Sequence, residues 1–235
     1  MRAPAKRALV TGVGPGTGLS VVRRLVTGGY QVAMVARNAQ RLNEFEAEVP
    51  STRAFVSDVA DPARFAATLD EVMSEFGPPS VVIHNAVGGV FGNFLQIEPE
   101  VLEKNFQTNV MAFLQLARTV APAMIEAGHG AIIASGNTSS LRGKANFAGF
   151  APTKAAQRIL AESMARELGP KGVHVAYVLI DAVIDLEWTR KARPDAPDDY
   201  FIQPAEIAEE IWHVAHQPRG AWSFNVEVRP FGEQW

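Results

Sequence analysis

The chain of 235 residues has no cysteine, no cluster of basic residues and no long apolar run. The absence of cysteine excludes disulfides and thiolate chemistry and is compatible with a reducing compartment. A formal net charge of −3 argues against nucleic acid as the main partner, because binding to a phosphate backbone needs a concentrated basic surface. No apolar stretch approaches the roughly 20 residues of a membrane span, and residues 1–6 lack the apolar stretch of a secretory signal. We therefore expect a cytoplasmic protein that binds neither nucleic acid nor membrane.

Metal-ligand spacing is absent as well. Of the histidines, only His213 and His216 stand close together, and we place this pair on a helix face away from any cleft. We predict no metal site.

Short runs rich in Val, Ile, Leu and Ala alternate with longer segments of helical period. This alternation is typical of βαβ units that build a parallel sheet with helices on both faces. We predict buried strands over roughly 6–11, 31–36, 52–56, 80–84, 130–135, 173–180 and 222–228. Apolar spacing predicts helices over roughly 17–28, 39–48, 62–76, 100–127, 151–168 and 204–216. The prediction is a single α/β domain over 1–235 with a Rossmann-like, doubly wound, parallel seven-stranded sheet.

One irregular stretch, 185–203, interrupts this pattern. It contains Pro194 and Pro197 and is rich in acidic residues. Long loops inside compact domains are often functional. We predict a substrate loop here.

The first predicted strand is followed by a turn dense in glycine and then by an amphipathic helix. Free amide groups and a partial positive charge at a helix N-terminus suit a pyrophosphate, and glycine lets the backbone approach it closely. A glycine loop without a ligand is the alternative. The predicted diphosphate-binding residues are Gly12, Gly16, Thr17 and Gly18.

The residues after the second and third strands predict the choice of cofactor. Arg37 follows the second strand, where an acidic residue would bind the ribose of NAD and a base accepts the 2′-phosphate of NADP. A solvated surface arginine is the alternative. Asp58, followed by Val59, is placed to meet the adenine, although an aspartate here is equally a helix cap. These residues favour NADP(H) over NAD(H).

These motifs together resemble the classical short-chain dehydrogenase/reductase family over nearly the whole chain. The family turn Thr-Gly-x-x-x-Gly-x-Gly is matched at Thr11, Gly12, Gly16 and Gly18. Its Asn-Asn-Ala-Gly motif is matched in part by His84-Asn85-Ala86-Val87. The resemblance implies that Asn85 and Ala86 contact the cofactor.

Two polar residues match the family's catalytic positions. Lys154 corresponds to the lysine of the Tyr-x-x-x-Lys pair, and the resemblance implies that it holds the nicotinamide ribose. Pro152 fits there only within a first helical turn. Asn109 corresponds to an asparagine that the family links to a water-mediated proton path. An ordinary polar helix residue is the alternative for Asn109.

Two catalytic positions depart from the family pattern. Phe150 stands four residues before Lys154, where the family has the tyrosine that exchanges a proton with the substrate. A phenyl ring has no proton to give. Thirteen residues earlier, Asn137 stands in place of the substrate-orienting serine; an amide donates a hydrogen bond but does not relay a proton. The family's Pro-Gly after the sixth strand is also missing, at Ile180-Asp181-Ala182.

Two functions follow from this combination. The first is an NADP(H)-dependent oxidoreductase of a small-molecule substrate with an altered proton-transfer site, in which water, Tyr200 or His84 supplies the proton. The second is a non-catalytic NADP(H)-binding sensor or partner subunit. We expect Tyr30 and Tyr177 to pack in the core instead.

The helices predicted over 100–127 and 151–168 resemble the pair through which family members form dimers and tetramers. Phe113, Leu114 and Leu116 exceed what one core face needs, with simple burial as the alternative. We expect a homodimer or homotetramer.

Overall fold

The computed structural model describes residues 6–232. The strands of this part are β1 (Lys6–Thr11), β2 (Tyr30–Ala36), β3 (Thr52–Val56), β4 (Val81–His84), β5 (Gly130–Asn137), β6 (Val173–Ile180), β7 (Val183–Ile184), β8 (Phe201–Ile202) and β9 (Asn225–Val228). Seven of them form one parallel sheet in the order β3-β2-β1-β4-β5-β6-β9, and β7 and β8 form a separate parallel pair. The prediction of a doubly wound seven-stranded sheet is confirmed.

The α-helices are α1 (Thr17–Thr27), α2 (Ala39–Glu48), α3 (Pro62–Glu71), α4 (Pro99–Phe106), α5 (Ala112–Ala127), α6 (Ala151–Leu168), α7 (Glu187–Ala192) and α8 (Pro204–Ala215). Asp61 caps α3 by accepting from the amides of Ala63 and Arg64, as Asp-Pro predicts. Helix α3 continues into the π-helical turn Val72–Phe76, and α4 joins α5 through the π-helical turn Gln107–Met111.

Two apolar cores cover the two faces of the sheet. Alternating strand residues face opposite sides, so Val10 belongs to one core and Leu9 to the other. Helices α1, α2 and α8 contribute to the first core, and α3, α5 and α6 to the second. This arrangement leaves the carboxyl ends of the strands free to form a site at one edge.

Helix α5 exposes fewer apolar side chains for an oligomer contact than the sequence predicts. Phe113 and Leu116 are fully buried in the second core, so only Leu114 of the three residues proposed for an oligomer contact is partly exposed. Contrary to the expectation that no stretch of this sequence approaches a membrane span, Pro99–Ala127 meets the length and composition of one. Since Phe113, Leu116 and Val120 pack against the sheet, this composition is that of a core helix.

The last strand of the sheet begins later than predicted, at Asn225 instead of residue 222. Trp222, which the prediction placed in the strand, stacks on the ring of His174 at 4.9 Å, and its indole nitrogen donates to Gln217 O at 3.2 Å. Trp222 therefore lies in the connection between α8 and β9, although β-propensity alone predicts a strand there.

The stretch 185–203 is more regular than predicted. Together with β7 it forms a lid segment, residues 183–202, made of β7, α7 and β8. Arg190 binds Asp185 through two bonds of 2.7 and 2.8 Å, and Gln203 donates to the same carboxylate at 2.7 Å. These bonds hold the pKa of Asp185 at about 2. Polar and acidic residues predict a loop here, but Asp185, Arg190 and Gln203 form hydrogen bonds within a folded segment.

Candidate functional site

The glycine turn after β1 packs backbone against backbone. Gly12 has a positive φ of 77°, and a Cβ at this position would lie 2.4 Å from the backbone nitrogen of Ala86. A Cβ on Gly18 would lie 2.6 Å from Gly12 O. Side chains are therefore excluded at both positions, whereas a Cβ on Gly14 would meet no atom within 4 Å.

The N-terminus of α1 presents an unpartnered hydroxyl. Thr17 Oγ1 is buried and has no hydrogen-bond partner, and no side chain caps this helix end. A buried hydroxyl that lacks a partner is rare. Gly16, just before it, approaches Leu186 of the lid segment so closely that a Cβ would lie 2.5 Å from Leu186 Cδ2. The first turn of α1 therefore offers hydrogen-bond donors to an anion, under the lid segment.

Two adjoining cavities lie along the carboxyl edge of the sheet. The first cavity, of about 510 Å³, is lined by Arg37, Asp58 and Val59 at its outer end. The second cavity, of about 800 Å³, is lined by Thr17, Asn137, Lys154 and the lid segment. Residues common to both linings are Gly12, Gly14, Asn85 and Val87. The two cavities therefore form one groove across the glycine turn.

The outer end of the first cavity is cationic. Arg37 is exposed, with its Nη1 4.0 Å from Asp58 Oδ2. Asp58 Oδ1 accepts from the amide of Ala60 at 3.0 Å, so this carboxylate closes a turn, and the cap of α3 is Asp61. Arg41, in the first turn of α2, also lines this cavity. Arg41 was not among the predicted residues, although its position after Arg37 was a usable signal.

Asn85 connects the strand ends beneath the groove. Its Nδ2 donates to Gly12 O at 3.0 Å, and its Oδ1 accepts from Ser135 Oγ at 2.8 Å. Ala86 supplies the backbone on which Gly12 rests. Both residues therefore lie beside the glycine turn, and the Asn85 side chain holds the turn in position.

Asn109 is fully buried in the π-helical turn between α4 and α5. Its Oδ1 accepts from Gly88 N at 2.8 Å, and its Nδ2 donates to Gly88 O at 2.9 Å and to Thr153 Oγ1 at 2.8 Å. This side chain fastens the loop after β4 to α6.

Lys154 is buried at the boundary of the second cavity. Its Nζ donates to Ser135 O at 3.1 Å and to Gln157 Oε1. Burial lowers the pKa of Lys154 to about 7. Gln157 was not among the predicted residues, because a glutamine in a helix belongs to no motif.

Of the two departures from the family pattern, Asn137 lines the second cavity and Phe150 does not. Phe150 precedes the first turn of α6, is buried, and packs its ring 5.0 Å from that of Phe91, which contacts Phe147 at 4.8 Å. Pro152 lies in the first helical turn, as its position requires. Asn137 ends β5, and its Oδ1 accepts from Ser139 N at 3.0 Å, which leaves the Nδ2 group as the donor it can offer a ligand.

The prediction that His84 lies beside the cleft was wrong. His84 is fully buried, bonds Thr11 Oγ1 through Nδ1 at 2.9 Å and stacks on Phe113. Burial, with the charge of Lys154, lowers its pKa to about 3. The strand alternation at the end of β4 turns this ring toward α5, where it donates no proton to a ligand.

Tyr200 is not among the residues that line the second cavity. Its ring meets that of Phe201 edge-on at 5.2 Å and lies 5.5 Å from the Arg193 guanidinium. Tyr30 and Tyr177 are buried, as predicted.

Residues 6–195 match the family model described as short chain dehydrogenase. The chain belongs to the short-chain dehydrogenase family. It is 34% identical over 171 residues to L-xylulose reductase of Mus musculus, covering 72% of this chain and 68% of that protein. It is 31% identical over 218 residues to carbonyl reductase [NADPH] 2 of Sus scrofa, covering 87% and 86%.

A solved structure shares the fold over almost the full length. A metagenomic short-chain oxidoreductase in complex with NADP is 26% identical, with a TM-score of 0.83 and coverage of 97% of this chain and 98% of that chain. Short-chain dehydrogenases are oxidoreductases that bind NAD(P) and act on small molecules. Within residues 6–232 of this member, no group of three or more His, Asp or Glu side chains is arranged to hold a metal ion.

The first prediction concerns the stability of this short-chain dehydrogenase and follows from the backbone contact at Gly12. Gly12→Ala forces a side chain into a positive φ and against the Ala86 backbone, so we expect it to lower the free energy of unfolding by about 2 kcal/mol or more. Gly14→Ala is the matched control, with an expected change below about 0.5 kcal/mol. Denaturant unfolding of the apoprotein measures both, and equal stability of the two variants would contradict this account of the turn.

Proposed function

We propose that this chain is an NADP(H)-dependent oxidoreductase of a small-molecule substrate, with an altered proton-transfer site. The observation that carries the proposal is the buried, unpartnered Thr17 hydroxyl at the open end of α1, above the backbone cradle of Gly12 and Gly18. A diphosphate would accept from this hydroxyl and from the first amides of α1. The residues present therefore fit a dinucleotide along the groove.

The other predicted residues have places along the same groove. Asp58 and Val59 would hold the adenine end, in the first cavity. Asn85 and Ala86 would support the middle of the dinucleotide, beside Gly16. Lys154 would bind the nicotinamide ribose, because its buried ammonium has a third hydrogen to donate after Ser135 O and Gln157 Oε1.

The choice of NADP(H) over NAD(H) rests on the cationic end of the first cavity. Arg37 and Arg41 both line it, and its one acidic side chain, Asp58, is engaged with the amide of Ala60. A guanidinium suits a 2′-phosphate, whereas NAD requires an acceptor for its ribose hydroxyls. Support also comes from the NADPH in the name of the pig relative and from the NADP bound in the metagenomic structure.

This proposal makes a second prediction. Arg37→Ala removes one charge-assisted bond, so we expect the affinity for NADPH to fall about tenfold or more and that for NADH to change less than about twofold. The control is Arg23→Ala, an exposed arginine of α1 that pairs with Glu48. Fluorescence titration measures both affinities. Equal weakening for the two cofactors would remove Arg37 from the phosphate site.

The proton route follows from the side chains around Lys154. When bound, the nicotinamide supplies or accepts a hydride. Phe150 has no proton to transfer, and loss of a general acid typically costs about 10²–10⁴ in rate. Asn137 Nδ2 can still donate a hydrogen bond to a substrate oxygen. This set suits an activated C=C bond: the β-carbon would receive the hydride, Asn137 Nδ2 would donate to the carbonyl oxygen, and water would give a proton to the α-carbon.

Three exposed apolar side chains of the loop after β4, which lie outside the lining of the second cavity, favour an apolar substrate. Phe91 touches Phe150 and is half exposed, and Phe94 and Leu95 of the same loop are exposed by 75% and 79%. A loop with this much exposed apolar surface favours an apolar ligand. An apolar enone therefore fits both the proton route and the surface.

The alternative function is a non-catalytic NADP(H)-binding sensor or partner subunit. The burial of Phe150 against Phe91 favours it, because the catalytic position is then part of an aromatic cluster. The cofactor groove is the same in both functions, so affinity for NADPH does not distinguish them. Turnover does.

A third prediction separates the two functions. Purified protein is mixed with NADPH and a panel of ketones, quinones and enones, and the loss of absorbance is followed. We expect the native chain to reduce an enone and to leave simple ketones unchanged. The Phe150→Tyr/Asn137→Ser double variant should gain ketone reduction by about 10²-fold or more. No turnover by the native chain, with turnover by the double variant, would establish the binding-protein alternative.

We also propose that the chain is cytoplasmic and forms a homodimer or homotetramer. The surface patch that supports an oligomer is formed by Met111, Leu114 and Gln115, which lie beside Arg118 on the outer side of α5.

A further inference from the structure

Gln157 is a fully buried polar side chain of α6, one helical turn beyond Lys154. Its Oε1 accepts a hydrogen bond from Lys154 Nζ, and its Nε2 donates to the backbone oxygen of Asn109 at 2.7 Å. The amide therefore connects the lysine to the π-helical turn between α4 and α5. π-Helical turns are frequent at functional sites.

The neighbours of this amide allow only one orientation, and the Tyr177 hydroxyl also donates to its Oε1 at 3.4 Å. A backbone carbonyl accepts hydrogen bonds, and an ammonium donates them. Nε2 must therefore face Asn109, and Oε1 must face Lys154. This orientation directs the negative end of the amide dipole at the Lys154 ammonium, which an apolar side chain of similar size would not do.

Few other groups stabilise the charge of Lys154. Ser135 O accepts from its Nζ at 3.1 Å. In residues 6–232 the lysines that form ion pairs are Lys171 and Lys191, and Lys154 is not one of them. Burial of the ammonium accordingly lowers its pKa to about 7.

The titratable groups that surround Lys154 lie on the sheet and on the lid segment. On the sheet, burial lowers the pKa of His84 and raises that of Tyr177, so both are neutral near pH 7. Across the second cavity, the lid segment presents Asp185, Glu187 and Lys191. Gln157 is therefore the side chain in direct contact with the ammonium.

We infer that Gln157 is a positioning residue, which holds the Lys154 Nζ in a fixed place at the wall of the second cavity and separates it from the Asn109 carbonyl. The role of that Nζ, to bind the nicotinamide ribose, rests on the proposed function. An amide does not titrate near neutral pH, so no proton passes through it from Lys154 to Asn109. Since Phe150 has no phenol to reprotonate, a relay through Lys154 would serve no group.

The test is an NMR pH titration of the apoprotein with ¹³C at the lysine ε-carbons, with the signal assigned by Lys154→Met. We expect a native midpoint of about 7. Gln157→Glu should raise the midpoint by about one unit or more, because a carboxylate would face the ammonium, and Gln157→Leu should lower it. Thr153→Val is the control: it removes a buried bond from α6 to the Asn109 side chain without touching Lys154, and its midpoint should equal the native one.

A residue that only fills the core would change stability and leave the midpoint unchanged. Equal midpoints for the native protein and both Gln157 variants would overturn the inference, and if Gln157→Leu fails to fold, Gln157→Glu decides. The titration needs no cofactor, so its outcome is independent of dinucleotide binding. Shifted midpoints in a protein with no NADPH affinity would contradict the proposed function and leave the positioning role standing.

Discussion

The site depends on the contact between two pieces of backbone, the glycine turn after β1 and the chain after β4. Gly12 lies so close to Ala86 that no side chain fits between them, and Asn85 closes the contact by donating to Gly12 O. Ser135 then binds Asn85, so the ends of three adjacent strands are joined beneath one groove. The open end of α1, with its unpartnered Thr17 hydroxyl, can face that groove only while this contact holds.

The same strand ends place the reactive region. Ser135 O, in β5, accepts a hydrogen bond from Lys154 Nζ. The next residue, Gly136, lies close to the ring of Tyr177. Lys154 is therefore fixed from below by β5 and from the side by Gln157. Where the family resemblance implies a phenol, this chain has the apolar contact between Phe150 and Phe91. The polar groups around Lys154 and the aromatic contact of Phe150 therefore lie at the same end of α6.

Much of this arrangement could be predicted from local sequence. Strand alternation and glycine spacing depend on neighbouring residues, so the sheet and the turn at Gly12 were predicted. The places of His84 and Gln157 depend on which distant side chains pack around them, Phe113 for the first and Asn109 for the second. The lid segment was predicted as irregular because its acids appear solvated in sequence, whereas Asp185 forms three bonds to Arg190 and Gln203.

The central claim is that the open end of α1 and the backbone cradle beside it bind the diphosphate of a nicotinamide dinucleotide. Isothermal titration calorimetry of the purified protein with NADPH, repeated with NADH, tests it most directly. The account predicts saturable binding of one NADPH per chain, weaker binding of NADH, and a loss of affinity in Thr17→Val. The absence of any binding heat for both dinucleotides, in a folded protein, would contradict it.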